Sequence, residues 1–391
     1  KISAVALVVL LFVSFVCCVD LEVQVFYNGK PQPQSMYLRG DGLGLNWDQG
    51  ILMQKSADTD FLWTAVLSYN ASNVGDVVEM KPLEGDTSWS IGANFQVRLP
   101  SVSSAAQFYP WFWSKAGEYK VIGSLFSPQL NNSRDIIVYT PPSYNENTLK
   151  TMKNVLVMHD GQNLFNASTS FGGIAWNCDD TINQLVVEGQ MEEVLIIGAY
   201  NTPDRLDEYT YVYDPCYTTN FKGDCEGGGG KGDLYLDFLI ENVVPYVVES
   251  GYRIETEREN MGILGSSLGG LISCYGAWTR SSAYSKGGCM SSSFWWDKQD
   301  FNKDILENYP VPFAETIYLD SGDCCPEPYS DDRYQTEAVR NHMEELGFAL
   351  GEDLFYYLDE GGQHNEYYWG RRFDVPMKDL YPITNSPTSP K

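Results

Sequence analysis

Five residues constrain this chain more than any others. Gly265-Ser266-Ser267-Leu268-Gly269 follows the apolar run Met261 to Leu264 and leads into an apolar helical pattern, Ser267 to Ala277. The spacing is G-x-S-x-G, with a strand before it and a helix after it. A serine held in so sharp a strand-to-helix turn needs small neighbours, and Gly265 and Gly269 supply them. Its hydroxyl then projects above the sheet. The helix that begins there aims unpaired N–H groups at any negative charge developing beside Ser267.

The surroundings of that turn have the same grammar. Beyond Gly117, short apolar runs alternate with helical patterns, the signature of a sheet covered on both faces. Tyr119 to Phe126 and Ile136 to Tyr139 read as an antiparallel opening pair ended by Pro141-Pro142. Val155 to Met158, Val194 to Ala199, Met261 to Leu264, Ser291 to Trp295, Ile317 to Leu319 and Leu354 to Leu358 read as buried strands. Helical patterns run from Leu234 to Glu249, Ser267 to Ala277 and Thr336 to Leu346. The expectation for residues 117–382 is an α/β domain with a predominantly parallel sheet flanked by helices.

Residues 20–116 read differently. Leu21 to Tyr27, Met36 to Arg39, Phe61 to Tyr69, Val77 to Pro82 and Phe95 to Leu99 are short alternating strands without helical period, as in a small β-sandwich. Trp47, Trp63, Trp89, Trp111 and Trp113 are either core or flat faces for stacking on sugars, core being the expectation for any single ring. Leu38-Arg39-Gly40-Asp41, Leu45-Asn46-Trp47-Asp48, Phe61-Leu62-Trp63-Thr64 and Glu79-Met80-Lys81 resemble the starch-binding type of carbohydrate-binding module, which implies the sandwich fold.

Residues 1–19 read as a secretory signal peptide, with Lys1 before an apolar run from Ala4 to Val13 and small residues at Cys17 and Cys18; an uncleaved N-terminal membrane anchor is the competing reading. The expected location is therefore secreted. Residues 383–391 read as a disordered tail. Of the cysteines after Cys18, seven in number, Cys216 and Cys225 are expected to pair, Cys274 to be a buried thiol, and at least one to stay unpaired. Asn70, Asn131 and Asn166 head Asn-x-Ser sequons. With 26 basic and 52 acidic residues, the net charge of −26 repels nucleic acid and anionic lipid, so neither is an expected partner.

Ser267 needs a base, and there are three histidines. His342 sits in a charged helical pattern and reads as surface. His159 ends a strand ahead of the serine and reads as structural. His364, on the loop Gly361-Gly362-Gln363-His364 after the last strand, is the expected base. The acid is expected between the two, after Ile317 to Leu319. Asp323 is the first choice and Asp332 the second, while Asp331 and Asp332 are equally explained as helix N-caps. The backbone N–H groups of Gln162 and Leu268 are expected to form the oxyanion hole. Gly161, Trp176, Asn201 and Arg205 are candidates for substrate contact, with Tyr209, Trp295, Trp296 and Trp369 as further cleft rings; each ring is equally explained as packing, and Asn201 and Arg205 equally by a structural salt bridge.

Val138-Tyr139-Thr140-Pro141-Pro142-Ser143-Tyr144, His159-Asp160-Gly161-Gln162-Asn163-Leu164-Phe165, Asn201-Thr202-Pro203-Asp204-Arg205, Gly265-Ser266-Ser267-Leu268-Gly269-Gly270 and Gly361-Gly362-Gln363-His364-Asn365-Glu366 together resemble the "Putative esterase" family of α/β hydrolases, which includes feruloyl and acetylxylan esterases, esterase D and enterochelin esterases. The resemblance covers about Gly117 to Pro382. It implies a Ser267 nucleophile, a His364 base and an oxyanion loop at Gly161-Gln162. The chain departs from the family at Cys324-Cys325-Pro326, which obscures the register of the acid.

The expectation is a secreted serine carboxylic-ester hydrolase with no cofactor and no metal, acting on an acyl, acetyl or feruloyl ester linked to carbohydrate. A binding protein that has lost catalysis and an acyltransferase using the same Ser-His site are the alternatives. Gly227 to Gly230 reads as a mobile loop, since no strand precedes it and no Ser or Thr follows Lys231 as a phosphate loop requires. Zinc hydrolysis lacks a pair of close histidines, and a carboxylate-pair glycosidase leaves the turn and His364 unexplained.

Overall fold

The structure is a computed structural model that describes residues 18–219, 222–309, 316–325 and 331–383. Its chain divides into two compact units, one running to Ser90 with Asn94–Phe112, the other Ile91–Ala93 with Trp113–Ile383. The division falls between Phe112 and Trp113, a few residues ahead of the boundary expected at Gly117. The signal-peptide and tail readings lie outside the described residues, except that Cys18 and Val19 already belong to a strand and Ile383 is described.

The first unit consists of two sheets. Gln54–Lys55, Leu62–Asn70, Cys18–Phe26 and Ser104–Phe108 form one; Ile51–Leu52, Met36–Gly40, Val77–Glu84 and Ser88–Trp89 form the other, with Phe95–Arg98 also on Val77–Glu84. Leu21, Val23 and Val25 alternate with polar residues and share one core with Met36, Leu38 and Met80 of the second sheet, as the two-residue period of a strand requires. Trp63 and Trp111 are buried, whereas Trp47 and Trp89 are exposed; Trp113, also exposed, belongs to the second unit.

An eight-stranded sheet organises the second unit. Its strands are β1 (Glu118–Ser127), β2 (Asn132–Thr140), β3 (Asn154–Met158), β4 (Val194–Ala199), β5 (Met261–Ser266), β6 (Lys286–Met290), β7 (Thr316–Gly322) and β8 (Leu354–Asp359). They lie in the order β1-β2-β4-β3-β5-β6-β7-β8, with β2 antiparallel to both neighbours and every pair from β4 to β8 parallel. Every residue of β4 and β5 is buried, as in a sheet covered on both faces. Helices α1 (Cys178–Val187), α2 (Gly232–Phe238), α3 (Leu268–Thr279), α4 (Arg333–Glu345) and α5 (Glu366–Arg371) flank it.

Three local expectations are corrected. The strand expected at Ser291 to Trp295 is Lys286–Met290, and Ser291 takes a positive φ of 40° that ends it. Gly287 and Gly288 leave no room for side chains, since a Cβ would come within 2.7 Å of Ala277 and 2.5 Å of Leu264. Cys274 is not a free thiol: it is bonded to Cys289, tying α3 to β6, and Cys178 is the buried free cysteine among those described. The glycine-rich stretch is one arm of a hairpin, Tyr213–Thr219 with Cys225–Gly229, closed by the expected Cys216–Cys225 disulfide. Cys324 and Cys325 form a vicinal disulfide.

Candidate active site

β5 ends at Ser266, and Ser267 stands between strand and α3 with φ 60° and ψ −126°, a conformation that L residues adopt only under constraint. Two backbone hydrogen bonds to the end of β6 and the turn after it hold it there: Ser267 N–H donates to Met290 O at 3.0 Å, and Ser293 N–H to Ser267 O at 3.1 Å. The glycine before it is obligatory, because a Cβ on Gly265 would lie 2.7 Å from His159 Cδ2 and 2.8 Å from the backbone of Gly269. Ser293 Oγ lies 3.4 Å from Ser267 Oγ.

The hydroxyl meets the expected imidazole. His364 Nε2 is 2.9 Å from Ser267 Oγ, and His364 Nδ1 is 2.6 Å from Asp331 Oδ1. Asp331 is fully buried, and burial alone would raise its carboxyl. Hydrogen bonds from His364 and Ser291 and the charges of His364 and Arg372 outweigh that and hold it below the ordinary carboxylate value. With Asp331 ionised, the Nδ1 proton faces it and Nε2 is left to accept from the serine. The arrangement can deprotonate Ser267 as it attacks a carbonyl carbon.

Asp323 therefore does not hold the position expected of it. Its Oδ1 accepts from Gly361 N at 2.7 Å, and its Oδ2 lies 3.5 Å from Arg333 Nη1. Asp332 precedes α4 without a side-chain capping bond. Asp323 instead forms part of a clasp between two loops: Cys324 N donates to Gly362 O at 3.1 Å, and Gly322 packs so closely on Gly362 that a Cβ would sit 2.2 Å from its carbonyl oxygen. The segment carrying the vicinal disulfide is thus stitched to the loop carrying His364.

After β3, residues 159–163 form a second loop beside the serine turn. Asp160 has a left-handed φ of 53° and is held by Arg205 through two bonds of 2.8 Å and by Asn201 at 2.6 Å. Asn201 and Arg205 thus brace the loop, their side chains committed to Asp160. Gly161 is needed for its approach to β4, where a Cβ would meet the carbonyl carbon of Gly198 at 2.8 Å. Gln162 accepts from Asn201 N, Thr169 Oγ1 and Ser170 Oγ, and among the described residues neither its own N–H nor that of Leu268 has a partner. His159 lies beneath the turn, with Nδ1 2.9 Å from Tyr235 Oη and burial pushing it down to about 3. His342 is half-buried, on Asn302.

Trp176 is core: it packs on Trp369 and Phe373, and Trp369 stands edge-on to the His364 ring at 4.9 Å. Tyr209 and Trp296 are also buried, while Trp295 is exposed. Among the described residues no cluster of His, Cys, Asp or Glu could hold a metal ion. Sequence reasoning missed Ser291 and Arg372, the other side-chain partners of Asp331. Two consecutive arginines following Trp369 were the available signal. In the first unit, Trp47 and Trp89 stand 6.1 Å apart and, with Glu79, Lys81 and Asn94, line a cleft of about 420 Å³.

The sequence model of the family described as "Putative esterase" matches residues 127–380. This chain belongs to that esterase family, and it is a carboxylic ester hydrolase. The esterase resembles YbbA of Bacillus subtilis strain 168, described as uncharacterized, at 26% identity over 66% of this chain and 96% of the relative. Among solved structures it is similar to the enterobactin esterase Fes of Shigella flexneri, with TM-score 0.51 and 15% identity over 92% of each chain. A ferulic acid esterase gives TM-score 0.50 and 17% identity over 68% of this chain and all of its own. At these identities the likeness is one of fold, an α/β-hydrolase-like mixed sheet.

Proposed function

We propose that this esterase is a secreted serine enzyme that removes acyl groups from a carbohydrate-linked ester. The observation that carries the serine mechanism is the chain of contacts Ser267 Oγ, His364 Nε2, His364 Nδ1, Asp331 Oδ1. Ser267 attacks the ester carbonyl while His364 takes its proton, and the amides of Gln162 and Leu268 receive the oxyanion. His364 returns the proton to the leaving alcohol, then activates water against the acyl-enzyme. One oxyanion donor is typically worth about 3 kcal/mol of barrier.

The carbohydrate half of the reading is supported by the Trp47 and Trp89 cleft. Exposed indole faces bordered by amide and charged groups suit the apolar faces and hydroxyl rims of pyranose rings. Three disulfides and exposed asparagines at all three sequons support an oxidising, glycosylating route. The deciding experiment labels the purified chain with a fluorophosphonate and assays release of acetate or ferulate from acylated polysaccharide. Ser267-dependent labelling and release are expected. Labelling that persists in Ser267→Ala overturns the mechanism, and hydrolysis of aryl esters without release from polysaccharide overturns the substrate.

A further inference from the structure

Behind the Ser267–His364 pair lies a buried ionic cluster that the reaction outlined above does not use. Arg372, just after α5 and only 2% exposed, sets Nε and Nη2 on Asp320 at 3.0 and 2.9 Å, Nη1 on Asp359 at 3.2 Å, and Nη2 on Asp331 Oδ2 at 3.3 Å. Ser291, also fully buried, donates its hydroxyl to the same Asp331 oxygen at 2.6 Å while accepting from Arg372 and from Trp369 Nε1 at 2.9 Å. Gly322 N–H completes the shell. So Asp331 Oδ2 is saturated, and only Oδ1 is turned to the imidazole.

We infer that Arg372, acting with Ser291, is a positioning residue that keeps Asp331 charged and its Oδ1 on His364, so that the acid limb of catalysis is set from α5. The inference rests on the serine-esterase reading of this site. The charges facing the couple are Arg372, Asp320 and Asp359, with Arg371 on the other oxygen of Asp359, Tyr318 Oη on Asp320, and Glu366 near His364. One guanidinium thus serves three carboxylates. Removing it leaves the Asp331–His364 couple in a more negative field, which favours the protonated, inactive couple whichever atom holds the proton. Asp320 shares Arg372 Nη2 with Asp331, so removing its charge together with the guanidinium restores the local balance around the couple.

The test compares the wild type with Arg372→Met, Ser291→Ala, and the charge-balanced pair Arg372→Met with Asp320→Asn, following kcat/KM for a small aryl ester against pH. In Arg372→Met the acid limb should move up by about one pH unit and kcat fall at least about tenfold with KM little changed. The charge-balanced pair should return the limb toward the wild type. Ser291→Ala, which keeps the charge and removes one donor, should move it the same way by less. An unmoved limb in Arg372→Met, or, should that variant not fold, in Ser291→Ala, overturns the inference. NMR titration of the His364 ring reads the same shift without turnover, and wild-type labelling at Ser267 tests the esterase reading separately.

Discussion

Asp331 Oδ1 stands 2.6 Å from Nδ1 of His364, and the imidazole's other nitrogen reaches Ser267 Oγ at 2.9 Å. An amide in place of that carboxylate keeps the shape and loses the acceptor that fixes the tautomer. Asp331→Asn should lower kcat by roughly 10³ to 10⁴-fold, whereas Asp323→Asn should stay within about tenfold of the wild type. Steady-state hydrolysis of an aryl ester by the two variants checks this directly.

His159 makes stability depend on pH below neutrality. Its ring is buried neutral and pushed down to about 3, whereas in the unfolded chain it titrates near the ordinary 6.5. Between those values the unfolded state binds the extra proton, so stability falls as pH drops from 6.5 toward 3. Urea midpoints measured from pH 7 down to about 4.5, before most carboxylates titrate, should decline in the wild type and decline less steeply in His159→Gln.

A methyl group on Gly265 has nowhere to go. The buried His159 ring and the backbone of Gly269 both stand within 2.8 Å of the position it would take. Gly265→Ala should destabilise the fold by about 1–3 kcal/mol and slow fluorophosphonate labelling of Ser267 at least about tenfold, because the turn itself is displaced. Native labelling kinetics in this variant would show that the turn tolerates what its geometry forbids.

The bridge from Cys274 to Cys289 closes a loop with a sequence separation of 15. By its effect on the unfolded chain alone, such a closure contributes about 3 kcal/mol. The double variant Cys274→Ala with Cys289→Ala should show a loss of this order in denaturant unfolding, with the Ser267 and His364 contact retained.

If sugar rings stack in the first unit's cleft, Trp89→Ala should weaken binding to polysaccharide by about tenfold, equivalent to about 1.4 kcal/mol. Hydrolysis of a soluble aryl ester should stay unchanged. Pull-down on insoluble glucans and xylans reads the first quantity, and a spectrophotometric assay the second.

How much of this was legible in the sequence varies with how local the determinant is. The serine turn is written in the spacing of Gly265 and Gly269, and His364 stood out because three histidines left little choice. The acid was not legible. Asp323 and Asp331 both follow β7, and what separates them is the three-dimensional shell of Ser291, Arg372 and Gly322, drawn from distant segments. The strand β6 was misread because Gly287 and Gly288 signal burial by the absence of side chains, while the apolar pattern at Ser291 to Trp295 belongs to a turn. Trp63 sits in the alternating strand run Phe61 to Tyr69 and is buried, whereas Trp47 sits among Gly, Asn and Asp turn residues and is exposed, a contrast of local pattern that reading the rings by type alone passed over.

The clasp that joins the vicinal cystine to the histidine loop gives an experimental handle. The Asp323 carboxylate accepting from Gly361 N and Cys324 N donating to Gly362 O make one side-chain and one backbone anchor, so a displacement of one segment is passed to the other. A spin label or fluorophore attached at Cys324 in a Cys325→Ser variant, which needs no reductant, would ride on the segment anchored to the loop of His364. A change in its signal when substrate is added would report movement of the histidine loop, without a reporter group ever entering the cleft where the ester binds.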